Sequence, residues 1–173
     1  REAQLGFSVS AGLSANEEWL VLSTGDNETS EVWLLPASEP FAQPRLVRAR
    51  ETGVEYGVDL NGDTLYILHN RDHVNFSVST ARLDAPTEWT TLIAGSDHFY
   101  LTGLDLFRDF YVTEGRLDDL DQVQVRYYED PARVEQIAFP EASYTAGLGD
   151  NPEWAMDRLR IGYQSMVTPG TTY

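Results

Sequence analysis

The chain has 173 residues, a hydrophobic fraction of 42% and a formal net charge of −16 at pH 7. This length and composition suit a folded domain with one sizeable core rather than a disordered chain. The negative charge argues against nucleic-acid binding, and no apolar run reaches the roughly 18 residues that a membrane-spanning helix needs.

Two further features of the composition concern partners and location. Cysteine is absent, which excludes disulfides and thiolate metal sites from this segment and favours a cytoplasmic protein. All 12 basic residues are arginines, and the acidic excess would attract cationic partners. The sequence starts at Arg1 without a charged and apolar leader, so no signal peptide is predicted and we expect further sequence upstream.

Short runs rich in β-branched and aromatic residues recur along the chain. In chain order, the predicted strands are 6–10, 18–23, 30–35 and 45–48; then 54–58, 64–68, 75–79 and 88–93; then 100–104, 110–113, 122–127 and 134–139; and finally 143–148 and 159–163. The second strands of successive groups start about 46 residues apart, a spacing typical of propeller blades. Turn residues such as those at 61–63 separate the runs, which favours antiparallel hairpins over helices.

The repeat predicts an all-β fold, an incomplete β-propeller of about three to four four-stranded blades. The predicted blades cover approximately 5–50, 53–95, 99–140 and 142–173, and the last blade is incomplete. Because propellers close into a ring, an open arc would expose apolar blade faces, and we expect the isolated chain to self-associate through them.

Several short motifs occur in the order in which one peptidase family carries them. They lie at 29–32, 53–59, 62–70, 75–76 and 107–109. Together they resemble oligopeptidase B (protease II), a branch of the prolyl oligopeptidase family of serine peptidases. The stretch 165–169, followed by Tyr173, resembles that family's passage out of its propeller toward the peptidase domain.

The resemblance implies both an architecture and an activity for the parent protein. In this family a seven-bladed propeller caps an α/β-hydrolase domain, and the present residues would be its later blades, roughly the fourth to the seventh. The family cleaves short peptides, and the oligopeptidase B branch cleaves after Lys or Arg. Its Ser, Asp and His triad lies on the hydrolase domain, which is absent from these residues. The implied partners are therefore that C-terminal domain and, for the parent, short basic peptides.

Three apparent catalytic or metal-binding motifs have simpler structural explanations. Ser96, Asp97 and His98 are neighbours in a predicted loop, and sequence neighbours rarely converge as a triad; no Gly-x-Ser-x-Gly string is present. His69 and His73 have zinc-helix spacing, but they lie at a strand end that runs into a turn, so their rings should point apart. The acidic run 59–63 lacks the distal Glu of a calcium loop, which favours a hairpin turn. We therefore predict no catalytic, cofactor-binding or metal-binding residue.

Carboxylates on the first strand of each blade are the candidate functional residues, since that strand lines the central tunnel of a propeller. Glu55, Asp59 and Asp105 fall on or just after such strands. An acidic tunnel lining would concentrate cationic peptides. Ordinary solvated turn carboxylates explain the same residues equally well.

A second class of function stays open from the residues alone. A propeller fragment can serve as a self-assembling binding or scaffold module for proteins or carbohydrates, with two copies closing a ring. The sequence after Tyr173 discriminates the two hypotheses. A hydrolase domain with Gly-x-Ser-x-Gly supports the peptidase, whereas a stop codon supports the module.

Overall fold

The computed structural model describes residues 6–173, which form four antiparallel sheets joined in chain order. The first two sheets contain β1 (Ser8–Leu13), β2 (Trp19–Gly25), β3 (Ser30–Pro36) and β4 (Arg45–Arg48), then β5 (Tyr56–Asn61), β6 (Thr64–His69), β7 (Ser77–Arg82) and β8 (Ala85–Ile93). The other two contain β9 (Phe99–Leu106), β10 (Phe110–Leu117), β11 (Leu120–Tyr127) and β12 (Val134–Gln136), then β13 (Tyr144–Leu148), β14 (Ile161–Ser165) and β15 (Thr171–Thr172). Within 6–173, no helix is long and apolar enough to cross a membrane.

Each sheet is a meander, in which every strand pairs with its neighbour in sequence. This is the four-stranded blade from which β-propellers are built, and the all-β prediction is confirmed. The fourth sheet has three strands. Its third strand consists of Thr171 and Thr172, which pair with Tyr163 and Gly162.

Several strand boundaries differ from the prediction, and two of the differences follow from backbone conformation. Strand β7 begins at Ser77 rather than at 75, since Phe76 adopts a φ of +65° and belongs to the preceding turn. The β10–β11 hairpin is longer than predicted because Asp118 and Asp119 form its turn with φ values of +50° and +63°. Aspartate tolerates this left-handed region better than most residues do.

The stretch 165–169 does not lead out of the sheet as the resemblance implied. It forms the turn between β14 and β15, and the chain then returns to pair with β14. The Ser165 hydroxyl accepts hydrogen bonds from the backbone N–H groups of Val167 (3.1 Å) and Thr168 (2.9 Å), and these bonds close the turn.

The chain divides into two compact units, the first ending at Gly95 and the second running from Ser96 to Tyr173. In the first unit, the facing sides of the first two sheets form a core, with Trp19, Val21, Val58, Leu83 and Trp89 packed around it. Its fully buried members include Val32, Leu34, Val47, Leu60, Leu65 and Ile67.

Tyr56 joins the two sheets of the first unit by hydrogen bonds. Its phenol accepts from the Val32 backbone N–H (2.9 Å) and donates to the Arg48 carbonyl, so the ring spans from β5 to β3 and β4. The Ser30 hydroxyl bonds both the N–H and the carbonyl of Tyr56. Burial raises the pKa of Tyr56 to about 12, which keeps the phenol protonated as a donor.

The second unit has its own core between its two sheets. Phe107, Phe110, Val112, Val123 and Val125 are buried, and Leu148, Met156 and Leu159 are among the side chains that pack against them. Phe107 and Phe110 stack with their ring centroids 4.9 Å apart. Burial of these aromatic and branched side chains is the main stabilising contribution in each unit.

Candidate functional site

The candidate residues Glu55 and Asp59 lie at the first strand of the second sheet. Asp59 is within β5, and Glu55 immediately precedes it. Because side chains alternate along a strand, residues four apart point to the same face, and Asp59 lies opposite Tyr66 in the register with β6. Both acidic side chains are half-buried rather than fully solvated.

The carboxylate of Asp59 binds backbone groups. Its Oδ1 atom accepts hydrogen bonds from the N–H groups of Ala15 (3.0 Å) and Leu60 (2.8 Å). The first bond joins the β1–β2 turn of the first sheet to β5, so Asp59 is a structural link between sheets. Burial raises the pKa of Asp59, against the opposing effect of these two hydrogen bonds.

Glu55 is positioned through its backbone. Its N–H donates to Oδ1 of Asn70 (2.8 Å), and its carbonyl accepts from the Asn70 N–H (3.2 Å). The Asn70 side chain also donates to the Gly53 carbonyl (3.3 Å). Asn70 thereby holds the start of β5 against the end of β6. These bonds use only the backbone N–H and carbonyl of Glu55, so its carboxylate takes no part in them.

Asp105 belongs to the second unit, on β9. It lies opposite Val112 of β10, and its side chain is exposed. The assignment of these three carboxylates to a tunnel lining stays a prediction.

His69 and His73 have different hydrogen-bond partners. His69 is fully buried, and its Nε2 lies 2.8 Å from the Ser79 hydroxyl. Its ring packs against Trp89, with the centroids 4.9 Å apart. Nδ1 of His73 instead accepts a hydrogen bond from the Asn75 N–H (3.0 Å) within the β6–β7 turn.

The segment Ser96-Asp97-His98 connects β8 to β9. The Ser96 hydroxyl accepts a hydrogen bond from the backbone N–H of His98 (3.2 Å), which is the pattern of a tight serine turn. The side chains of Asp97 and His98 are exposed.

The sequence reasoning missed two carboxylates that link the sheets of the second unit, Glu114 and Asp121; Oδ2 of Asp121, on β11, accepts a hydrogen bond from the Ala146 N–H of β13 (3.1 Å). Oε1 of Glu114, on β10, accepts a hydrogen bond from the Leu148 N–H of β13 (2.6 Å). Gly103 and Gly147 leave space for this side chain, since a Cβ at Gly147 would lie 2.9 Å from Oε1 and a Cβ at Gly103 would lie 3.1 Å from Oε2. Two glycines inside predicted strands were the signal that could have indicated such a close approach.

Asp59 and Glu114 each accept a hydrogen bond from a backbone N–H of the adjacent sheet. Asp59 makes this link in the first unit and Glu114 in the second. Glu55, Asp59 and Asp105 lie on or beside the first strands of their sheets.

Comparison with known proteins agrees with a β-propeller fold. The family model for the prolyl oligopeptidase N-terminal β-propeller domain matches residues 1–173. Dipeptidyl aminopeptidase BI of Pseudoxanthomonas mexicana is 32% identical over 170 residues, which are 96% of this chain and 23% of that protein. Protease 2 of Moraxella lacunata is 25% identical over 167 residues, covering 96% of this chain and 24% of that protein.

Solved structures of oligopeptidase B also match this chain. Oligopeptidase B from Trypanosoma brucei, in a closed form with covalently bound antipain, matches 99% of this chain and 26% of its own chain, with a TM-score of 0.95 and 32% identity. Oligopeptidase B from Leishmania major matches the same shares of both chains, with a TM-score of 0.92 and 25% identity. The chain thus spans about a quarter of the length of the relatives it matches. The resemblance inferred from the motifs is confirmed, and the chain belongs to the prolyl oligopeptidase family, as part of its N-terminal β-propeller domain.

Proposed function

We propose that this chain is part of the substrate-gating cap of a serine oligopeptidase that hydrolyses short peptides after Lys or Arg. The observation that carries the proposal is the match of 99% of the chain to oligopeptidase B from T. brucei at a TM-score of 0.95. Catalysis would reside in a C-terminal α/β-hydrolase domain of the longer protein, and the propeller would admit short peptides while excluding folded proteins by size. We also propose a cytoplasmic location, which cell fractionation tests.

The preference for basic residues is supported by charge. The chain has a net charge of −16, and Glu55 and Asp105 present carboxylates at the first strands of their sheets. A field of this sign raises the local concentration of a cationic peptide, and salt weakens the effect. Asp59 is a poorer candidate for this role, because its Oδ1 already accepts two backbone hydrogen bonds.

Steady-state kinetics of the full-length protein test both parts of the proposal. Reporter amides with arginine or with its uncharged analogue citrulline before the scissile bond should differ strongly, with the arginine reporter preferred. Glu55→Gln and Asp105→Asn should each raise KM for the arginine reporter about threefold at low ionic strength, and the effect should fade in high salt.

The matched control is Glu88→Gln, which removes the same charge from an exposed position on the outermost strand of the second sheet. It should leave KM unchanged. Equal hydrolysis of the two reporters would contradict the proposed specificity. An equal effect of all three variants would contradict the role of the first strands.

A further inference from the structure

Four side chains with oxygen atoms meet where the last turn of the fourth sheet approaches the start of β13. They are Glu141, which precedes β13, Tyr163 on β14, and Ser165 and Thr168 at the turn between β14 and β15. The Thr168 hydroxyl donates to Oε1 of Glu141 (2.6 Å). Interaction with the hydroxyl groups of Ser165 and Thr168 lowers the pKa of Glu141, so its carboxylate is ionised at neutral pH.

Two buried oxygen atoms of this group have no hydrogen-bond partner among residues 6–173. They are Oε2 of Glu141 and the hydroxyl oxygen of Tyr163, a residue that is only 3% exposed. Burial and the neighbouring Glu141 carboxylate both raise the pKa of Tyr163, so the two groups lie close together, yet their geometry is not that of a hydrogen bond. Since buried polar atoms nearly always have a partner, these two oxygens indicate a bound water or ion.

The Glu141 carboxylate also has no positively charged partner within residues 6–173. None of the ion pairs of the described residues includes it, and no arginine or histidine is among the groups that shift its pKa. A carboxylate oxygen that is shielded from water is normally paired with a positive charge or coordinates a metal ion, because removing a charge from water is costly. The charge therefore favours a cation over a water molecule as the missing partner.

The Tyr163 hydroxyl is held in place by aromatic packing. Its ring stacks on Phe139, with the centroids 5.4 Å apart and 13° between the planes, and it contacts Tyr144 at 5.7 Å and Tyr173 at 5.9 Å. The raised pKa keeps the phenol protonated, so its oxygen can serve as an uncharged ligand. Because this oxygen is already fixed, a ligand would bind it with little further loss of conformational entropy.

The donor atoms select the class of ion. Carboxylate and hydroxyl oxygens are hard ligands, which suit alkali and alkaline-earth cations better than soft transition metals. Calcium takes about six to eight oxygen ligands, commonly from several carboxylates. In the part of the chain that the structure describes, no group of three or more His, Cys, Asp or Glu side chains could hold a metal ion. One carboxylate with neutral oxygens instead balances a single positive charge.

We propose that Oε2 of Glu141 and the hydroxyl oxygen of Tyr163 bind a monovalent cation, sodium or potassium, with water completing its coordination. Thr168 positions the carboxylate through its other oxygen, Oε1. The ion joins the segment before β13 to β14, so its binding should stabilise the fourth sheet. This inference does not depend on the proposed peptidase activity.

Hydrogen exchange of the full-length protein, measured in the chlorides of sodium, potassium and N-methylglucamine at equal ionic strength, tests the site. Peptides covering β13 to β15 should exchange more slowly in sodium or potassium chloride than in N-methylglucamine chloride. At an ion concentration about ten times the Kd, local opening should fall about tenfold, whereas peptides covering β5 to β8 should not respond. Equal exchange in all three salts would overturn the inference in favour of a bound water or a direct bond between Tyr163 and Glu141. Equal protection by micromolar calcium chloride would overturn the monovalent assignment.

Three variants locate the effect. Glu141→Gln removes the charge and keeps an acceptor for Thr168, and it should abolish the difference between sodium or potassium and N-methylglucamine. Tyr163→Phe keeps the stacked ring and should reduce the difference. The matched control Glu153→Gln removes the same charge from an exposed position in the loop between β13 and β14, and it should leave the difference unchanged. A difference that persists in Glu141→Gln would place the ion elsewhere and overturn the site. The salt comparison on the unmodified protein does not depend on how the variants fold.

Discussion

The hydroxyl group of Tyr56 is the best place to test how the first two sheets are held together. Tyr56→Phe keeps the buried ring and its edge contact with Trp89, whose centroid lies 5.3 Å away, and removes only the hydroxyl. The Val32 N–H then loses its acceptor and the Arg48 carbonyl loses its donor. The free-energy change therefore comes from hydrogen bonding and not from lost packing.

The magnitude follows from the burial of these groups. Val32 is fully buried, and an unsatisfied buried polar group costs about 1–3 kcal/mol. With a further contribution of about 1 kcal/mol for the bond to Arg48, we expect a loss of about 2–4 kcal/mol. Since about 1.4 kcal/mol corresponds to a factor of ten, local opening around β3 should increase about 30-fold to 1000-fold.

Hydrogen exchange of the full-length protein, resolved by mass spectrometry for peptides covering β3 and β5, measures this opening. The control is Tyr173→Phe, which removes a hydroxyl from a side chain that is 65% exposed. Tyr56→Phe should accelerate exchange in β3 strongly, and the control should not. Unchanged protection of the peptides covering β3 would refute the assignment of Tyr56 as the link between the two sheets.

Three further predictions concern packing, pH and assembly. Gly147→Ala should destabilise the second unit by about 1–3 kcal/mol in urea unfolding, because its Cβ would lie 2.9 Å from Glu114 Oε1. The control is Gly57→Ala, whose Cβ would meet no atom within 4 Å. It should change the free energy of unfolding by less than about 1 kcal/mol. Burial lowers the pKa of His69; the charge of Asp72 opposes this shift, and the charges of Arg71 and Arg48 add to it. The unfolded state therefore binds the proton more tightly than the folded state. Stability should fall as the pH drops below about 6.5. His69→Gln should flatten this dependence of the urea midpoint between pH 7.5 and 5.5, and an identical pH profile would contradict the prediction. In light scattering, the isolated chain should self-associate, since all of β1 is exposed and Val9 and Leu13 are 61% and 56% accessible; a strictly monomeric chain would contradict this.

The order and type of the strands could be predicted from residue type alone. Runs such as β6 and β11 combine branched and aromatic residues with flanking turn residues, and these local preferences agree with the tertiary structure. Among the boundaries that differ from the prediction, those at Phe76 and at Asp118 and Asp119 lie where the backbone turns left-handed. Phenylalanine has no preference for that conformation, so no local rule could have placed the start of β7.

The roles of the carboxylates were harder to predict, because they depend on distant partners. Asp59 is predicted to line a tunnel from its strand position alone, and that position does not show that its Oδ1 accepts the N–H of Ala15, 44 positions away in sequence. Glu114 likewise bonds Leu148, 34 positions away. A sequence shows which residue can accept a hydrogen bond, and only the packed sheets show which donor reaches it.

Peptide hydrolysis by the full-length protein, compared with that by residues 1–173 alone, tests the central claim most directly. The full-length protein should release the reporter from an arginine amide, and the isolated chain should release none at any concentration. Hydrolysis by the isolated chain would contradict the assignment of this segment as a cap without catalytic residues, and an inactive full-length protein would contradict its origin in a peptidase.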